Sequence, residues 1–280
     1  MKSILYILGA GRSGTTLVDI LLGNSERVFS AGELNRFPKR NGIPPGREEG
    51  SAALNFWDEI NNNISNRFQL DYLNQISHRI EHHNFLKRLG LSPTEWKDYH
   101  DYLNLIFESL SSRRSEQIII DSSKYPLRAY ELSRRLVNFK YCVYVKRHPV
   151  SVLRSFAKKG IEQPSKSWVG VLLYLMLVHA ISWWVLKKLK LKGVKVLSVT
   201  IEEVTRDPYH FVESVENIFQ LDLTCLKDKL KSKGTLTTGQ LFDGNRIRLK
   251  KEIEIKEIKI PQKFTLKERF VYVCSKFWWR

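Results

Sequence analysis

The chain has 280 residues, of which 42% are hydrophobic and 27% charged, and its formal net charge is +17. That length suits one large α/β domain over residues 1–280, since no repeat or low-complexity linker divides it. Cys142, Cys225 and Cys274 lie far apart without C-x-x-C spacing, which argues against a disulfide framework or a zinc site and for a reducing compartment.

Residues 3–8 read as a short apolar strand that runs into Gly9-Ala10-Gly11-Arg12-Ser13-Gly14-Thr15-Thr16. Against the phosphate-loop pattern G-x-x-x-x-G-K-[ST], both glycines and Thr16 fall in register, but the lysine position is Thr15. A cation is supplied three residues earlier, by Arg12. Residues 14–23 then read as a helix whose unpaired N-terminal N–H groups favour an anion. Such a loop holds phosphate but lacks the lysine that grips a γ-phosphate. One lysine and a strand at the start leave no room for a cleavable signal peptide, so the expected location is the cytoplasm.

After an expected second strand comes Ser30-Ala31-Gly32-Glu33-Leu34-Asn35-Arg36. In isolation, Glu33 reads as a solvated loop residue; close to a reacting hydroxyl it could take the proton. Helical periodicity dominates residues 52–110, with breaks expected at 61–63 and at Gly90-Leu91-Ser92-Pro93. This helical insertion, about residues 42–116, carries Phe56, Trp57, Trp96, Tyr99 and Tyr102, which suit a packed core more than a binding wall.

A strand over 117–120 ends in Asp121-Ser122-Ser123-Lys124-Tyr125-Pro126, with Ser122 or Ser123 expected to cap a helix over 127–136. A strand over 141–145 ends in Lys146-Arg147-His148-Pro149 and precedes a helix over 150–159. Residues 195–199 form a further strand ending at Thr200-Ile201-Glu202-Glu203. Short strands alternating with helices predict an α/β fold with a mainly parallel sheet, whose strand ends share one cleft.

The apolar run 168–186 is long enough to reach across a bilayer, but His179 and Ser182 within it favour a buried core helix. Trp183 and Trp184 beside Lys187 and Lys188 also suit a membrane interface. Basic residues are densest over 187–192, 227–233 and 246–263 and favour anionic partners without choosing among them.

The loop and the Arg147 segment together resemble PAPS-dependent sulfotransferases, a family with a P-loop-type fold. The resemblance covers residues 1 to about 220, least well in the helical insertion. It implies that Gly11, Arg12, Ser13, Gly14, Thr15 and Thr16 hold the 5′-phosphosulfate. Arg147 with Ser155 eight residues later resembles the 3′-phosphate motif, with His148 where the family often has aspartate. Glu33 resembles the proposed base of bacterial and tyrosylprotein sulfotransferases, and Lys124 a lysine that stabilises the leaving group. Asn245 and Arg248, in Phe242-Asp243-Gly244-Asn245-Arg246-Ile247-Arg248, resemble a segment that closes over the nucleotide, so residues 221–280 are expected to cover it. The resemblance implies PAPS as donor, a hydroxyl acceptor and no required metal. His148 is expected beside the phosphate cleft and His179 in the core, neither with metal-ligand company.

Two other readings stay open at this level. A kinase or other NTPase with a degenerate loop would use Asp121 on Mg²⁺, although Thr15 argues against it. The charge permits a nucleic-acid-binding module, but no recognition motif is present and no specific nucleic acid is expected. Carbohydrate, glycolipid, peptide tyrosine and small metabolites all remain open as acceptors.

Overall fold

The computed structural model describes residues 2–158, 166–232 and 234–279. Five parallel strands form its sheet: β1 (Ser3–Gly9), β2 (Val28–Ser30), β3 (Ile118–Lys124), β4 (Phe139–Lys146) and β5 (Lys195–Thr200). Their spatial order is β2-β3-β1-β4-β5. The order reverses at β1, which has β3 on one side and β4 on the other, so a crevice opens beyond its carboxyl end.

Alternation along β1 divides the core into two layers. Leu5 and Ile7 face α1 (Thr15–Leu22), which starts in the loop. The same layer takes in α8 (Ile201–Arg206), α9 (Pro208–Phe219) and α10 (Thr224–Lys231). Ile4, Tyr6 and Leu8 face the opposite layer, built from α2 (Ala52–Ser65), α3 (Leu70–Glu81), α4 (Pro93–Arg113), α5 (Pro126–Arg135) and part of α7 (Trp168–Leu191). A smaller apolar cluster joins α6 (Pro149–Ala157), α7 and α11 (Leu266–Trp279). The short antiparallel pair β6 (Leu236–Thr237) and β7 (Glu252–Ile253) lies apart from the main sheet.

Several expectations needed correction. Helix α2 runs unbroken through Asn61, Asn62 and Asn63, because Trp57, Ile60 and Ile64 bury one face and that packing outweighs weak local propensity. Strand β3 continues to Lys124, four residues past the expected end. Ser122 and Ser123 do not cap α5: Ser122 Oγ donates to Asp19, and Ser123 Oγ donates to Asp121 while accepting from Asn35 N–H. Pro126 opens α5, where its missing N–H costs no intrahelical bond. The helix after β4 is described to Ala157, and the expected end at Lys159 lies outside the described residues, as does Lys233 of the basic stretch 227–233.

Trp57, Tyr99 and Tyr102 are fully buried, with Phe56 and Trp96 packed against them, as the core reading of these aromatics expected. The insertion is anchored to the sheet by a buried ion cluster. Arg128 on α5 donates from Nε to Asp121 of β3 at 2.9 Å and from Nη1 to Glu81 of α3 at 2.6 Å. Glu81 also accepts from the Tyr99 hydroxyl at 3.0 Å. Removing one member of such a cluster leaves buried charge without compensation. Arg128→Ala should therefore lower unfolding free energy by about 3–5 kcal/mol in urea denaturation, whereas a substitution at exposed Lys97 should change it little.

Candidate active site

Residues 9–16 wrap the N-terminus of α1. Gly14 has φ 93°, and a Cβ there would come within 2.5 Å of Ile201, so the turn requires glycine. Arg12 also adopts the left-handed conformation, at φ 69°. The loop is braced from within by Ser13 Oγ donating to Ala10 O at 2.7 Å. From outside, the Arg147 guanidinium donates to Arg12 O at 2.8 Å, and Gly11 N–H donates to the Tyr174 hydroxyl on α7 at 2.7 Å. Asn245 N–H reaches Thr16 Oγ1 at 3.2 Å, which ties the C-terminal segment to the loop.

Arg12, Gly14, Thr15, Thr16, Glu33, Lys124, Arg147, Ser155 and Asn245, dispersed over more than two hundred residues of sequence, line one cleft. Ile247 and Ile258 of the C-terminal segment add apolar wall to it. Ser13 is buried as a loop brace, and Gly11 lines an adjoining cavity instead. Arg248 is a correction: it does not line the cleft. It is buried, donating to Pro45 O at 2.7 Å and lying 3.6 Å from Asp243. His148 is another, since its ring stacks on Phe264 and Tyr272 instead of facing the cleft, and its N–H donates to Glu202. His179 is a core residue paired with the Tyr144 hydroxyl, as expected.

Glu33 sits where the two cavities meet. Its Oε1 is 2.6 Å from Lys124 Nζ and its Oε2 is 3.0 Å from Arg36 Nε, so each oxygen faces a separate cation. Backbone geometry fixes the carboxylate's origin. Gly32 has φ 81°, and a Cβ there would lie 2.7 Å from Asp243 O, while Glu33 N–H donates to that same oxygen at 3.1 Å. Lys124 reaches Glu33 from the end of β3, where the register against β1 shifts between Tyr6 and Leu8 and the backbone turns to φ 72°.

Arg36 carried a signal that sequence reasoning passed over: it stands three residues after Glu33, the spacing at which two side chains meet on a helical turn. Asp243 orders this corner, with Arg36 at 3.4 Å and Arg40 at 3.1 Å.

The second cavity, of about 460 Å³, shares Glu33, Arg36 and Lys124 with the cleft and continues between the helical insertion and α7. His82, His83 and Asn84 line one side, and Tyr125, Phe156, Leu173, Tyr174 and Leu177 much of the rest. Burial pushes His83 down to about 4, helped by His82 and Lys166, so a neutral imidazole faces this space. Its Nδ1 has no hydrogen-bond partner among the described residues.

A sulfotransferase family model matches residues 5–224. The chain belongs to the sulfotransferase family. Solved structures with the same fold include the sulfotransferase domain from the curacin biosynthetic pathway, 16% identical with a TM-score of 0.57, covering 100% of this chain and 99% of that one. The sulfotransferase domain of the Synechococcus PCC 7002 olefin synthase is 19% identical with a TM-score of 0.50, covering 99% and 96%. Sulfotransferase STF9 from Mycobacterium avium is 13% identical with a TM-score of 0.53, covering 82% and 67%. A search of curated proteins returned no match. This sulfotransferase is thus an enzyme of an α/β type whose parallel sheet matches the fold of these structures.

Behind its loop, the sulfotransferase buries Asp19 of α1, whose Oδ2 accepts from Ser122 Oγ at 2.6 Å. Burial raises this carboxyl from 3.8 to about 7 against the opposing hydroxyls of Ser122 and Ser30. A folded-state value above the unfolded one means that the group's contribution is complete below pH 3.8 and is lost as pH rises through about 7. Wild-type stability should therefore fall relative to Asp19→Asn between about pH 4 and pH 7, by no more than about 4 kcal/mol, in parallel urea titrations.

Proposed function

We propose that the protein transfers a sulfuryl group from PAPS to a hydroxyl acceptor and releases adenosine 3′,5′-bisphosphate. The observation that carries this reading is the junction of two cavities at one carboxylate and one lysine, Glu33 and Lys124. A transfer reaction needs donor and acceptor to approach from separate sides of the same proton-handling and charge-stabilising groups.

The cleft suits a donor with phosphate groups at two positions. Loop N–H groups, Arg12, Thr15 and Thr16 would hold the 5′ side at the start of α1. Arg147 and Ser155 would hold the 3′-phosphate, and Arg147 Nε is buried with no partner among the described residues. Burial lowers the Arg147 pKa, which Glu202 opposes and Arg12 reinforces; an anion here would offset that unfavourable environment. When bound, the donor would supply an activated sulfuryl group on a phosphate leaving group.

Glu33 would take the acceptor proton, and Lys124 would donate a hydrogen bond to the oxygen that is left behind. Their ion pair links the two tasks. If Lys124 turns from Glu33 toward the leaving oxygen, it releases Oε1 for the acceptor hydroxyl, while Arg36 still orients the carboxylate through Oε2. Asp121, the carboxylate that a kinase-like reading would place on Mg²⁺, is bonded to Arg128 and to Ser123.

Thermal-shift measurements should show stabilisation by adenosine 3′,5′-bisphosphate in the absence of Mg²⁺, and a response confined to ATP with Mg²⁺ would overturn the proposal. With labelled PAPS and a panel of hydroxylated acceptors, Glu33→Gln should retain bisphosphate binding and lose about 10²–10⁴-fold in kcat. Lys124→Ala should lose about 10²–10³-fold in kcat, whereas Arg147→Ala should chiefly weaken bisphosphate binding.

A further inference from the structure

Helix α7 is apolar on all sides for most of its 24 residues and contains no acidic residue. Such a helix is ordinarily enclosed all round. Here Val178, Ile181, Val185 and Leu189 pack into the core, so the helix lies along the domain and does not pass out of it. Its opposite side is uncovered. Val169, Leu173, Met176, Ala180 and Trp183 follow one another at helical spacing and are all exposed, Leu173 by 62% and Trp183 by 60%. From Val169 to Trp183 the stripe is about 21 Å long at the usual helical rise.

Neighbouring elements enlarge this face. Leu266, Phe270 and Val273 form an exposed stripe on α11, and the Phe270 ring meets Trp168 at the start of α7 at 6.0 Å. On the other side, the exposed Phe85 approaches Trp184 at 6.4 Å. Contiguous apolar surface of this kind marks a contact with something outside the domain.

Charge identifies the occupant. The α7 stripe continues without a change of face into Lys187 and Lys190, and Lys187 Nζ lies 5.4 Å from the Trp183 ring centre. An indole with lysines directly beyond it is the arrangement of an interfacial helix, with the ring at headgroup depth and the ammonium groups among lipid phosphates. The chain's net charge of +17 acts in the same sense over a longer range.

We propose that the α7–α11 face docks on an anionic bilayer surface and turns the mouth of the acceptor cavity toward it. This rests on the transfer reading above and names where its acceptor comes from. Leu173 and Leu177 carry the argument, since both are exposed on the α7 face and both line the cavity that reaches Glu33 and Lys124. An acceptor entering between them leaves an apolar layer and presents a hydroxyl to a carboxylate, which describes an amphiphile with its tail retained in the bilayer.

The test uses the full chain and needs no turnover. Sucrose-loaded vesicles of phosphatidylcholine mixed with phosphatidylglycerol should sediment the protein, more weakly at high salt, and vesicles of phosphatidylcholine alone should bind it less. The double variant Trp183→Glu/Phe270→Glu, altered outside both cavities, should bind the mixed vesicles at least about tenfold more weakly and keep its thermal response to adenosine 3′,5′-bisphosphate. Brominated acyl chains should quench indole emission, and Trp183→Phe should remove part of that quenching. Absence of wild-type binding, or binding unaltered in the double variant, would overturn the proposal. So would a wild-type dimer that the double variant converts to monomer without any vesicle binding, because the face would then belong to a second copy of the chain. Failure of the bisphosphate to bind would instead count against the transfer reading, since vesicle binding is measured without it.

Discussion

The site is organised by one carboxylate held between two cations. Glu33 must point into the junction of two cavities, and its position is set by Lys124 on one oxygen and Arg36 on the other. Two supports hold these three residues, the end of β3 for Lys124 and the Asp243 segment for Glu33 and Arg36. Glu33 follows a glycine pressed against the backbone of Asp243, Lys124 ends a strand whose register has shifted, and Arg36 is steadied by Asp243 itself. Disturbing either support would move the carboxylate relative to the two cations, and on the proposed transfer reading such a misplacement would have a large effect on rate.

The parallel sheet explains why distant segments supply the site. Loop, Glu33, Lys124 and Arg147 all lie at or just beyond the carboxyl ends of neighbouring strands, so the topology gathers them before any side chain makes a specific contact. The insertion then adds one wall of the second cavity, and the ion cluster of Arg128, Asp121 and Glu81 fixes that wall to the strand bearing Lys124. The wall of the second cavity and the strand that ends in Lys124 are thus joined through one buried ion cluster.

Much of this was legible because strand, loop and helix leave local signatures. The loop, Arg147 with Ser155, Glu33 and Lys124 could each be placed from spacing or resemblance, and the cleft gathers them. What escaped depended on tertiary contact. The bond from Gly11 to Tyr174 joins residues 163 apart, and no local pattern announces it. Arg248 stood in a suggestive motif, yet it is buried against Asp243 and Pro45. The asparagines of α2 looked like a break because their propensity is weak, whereas the buried face of Trp57 and Ile60 decides the helix. For α7 the composition indicated apolarity without saying that only one face would be enclosed.

Arg12 and Lys124 also reveal a tension between folding and chemistry. Among the described residues, only four other than glycine have positive φ, and these two cations are half of them. The left-handed region holds a side chain at a cost of about 1–3 kcal/mol per residue, which glycine would largely avoid. The fold therefore maintains backbone strain at both positions in order to keep a guanidinium and an ammonium there. Backbone conformation alone would favour glycine at either place; the proposed need for a cation at a defined point does not.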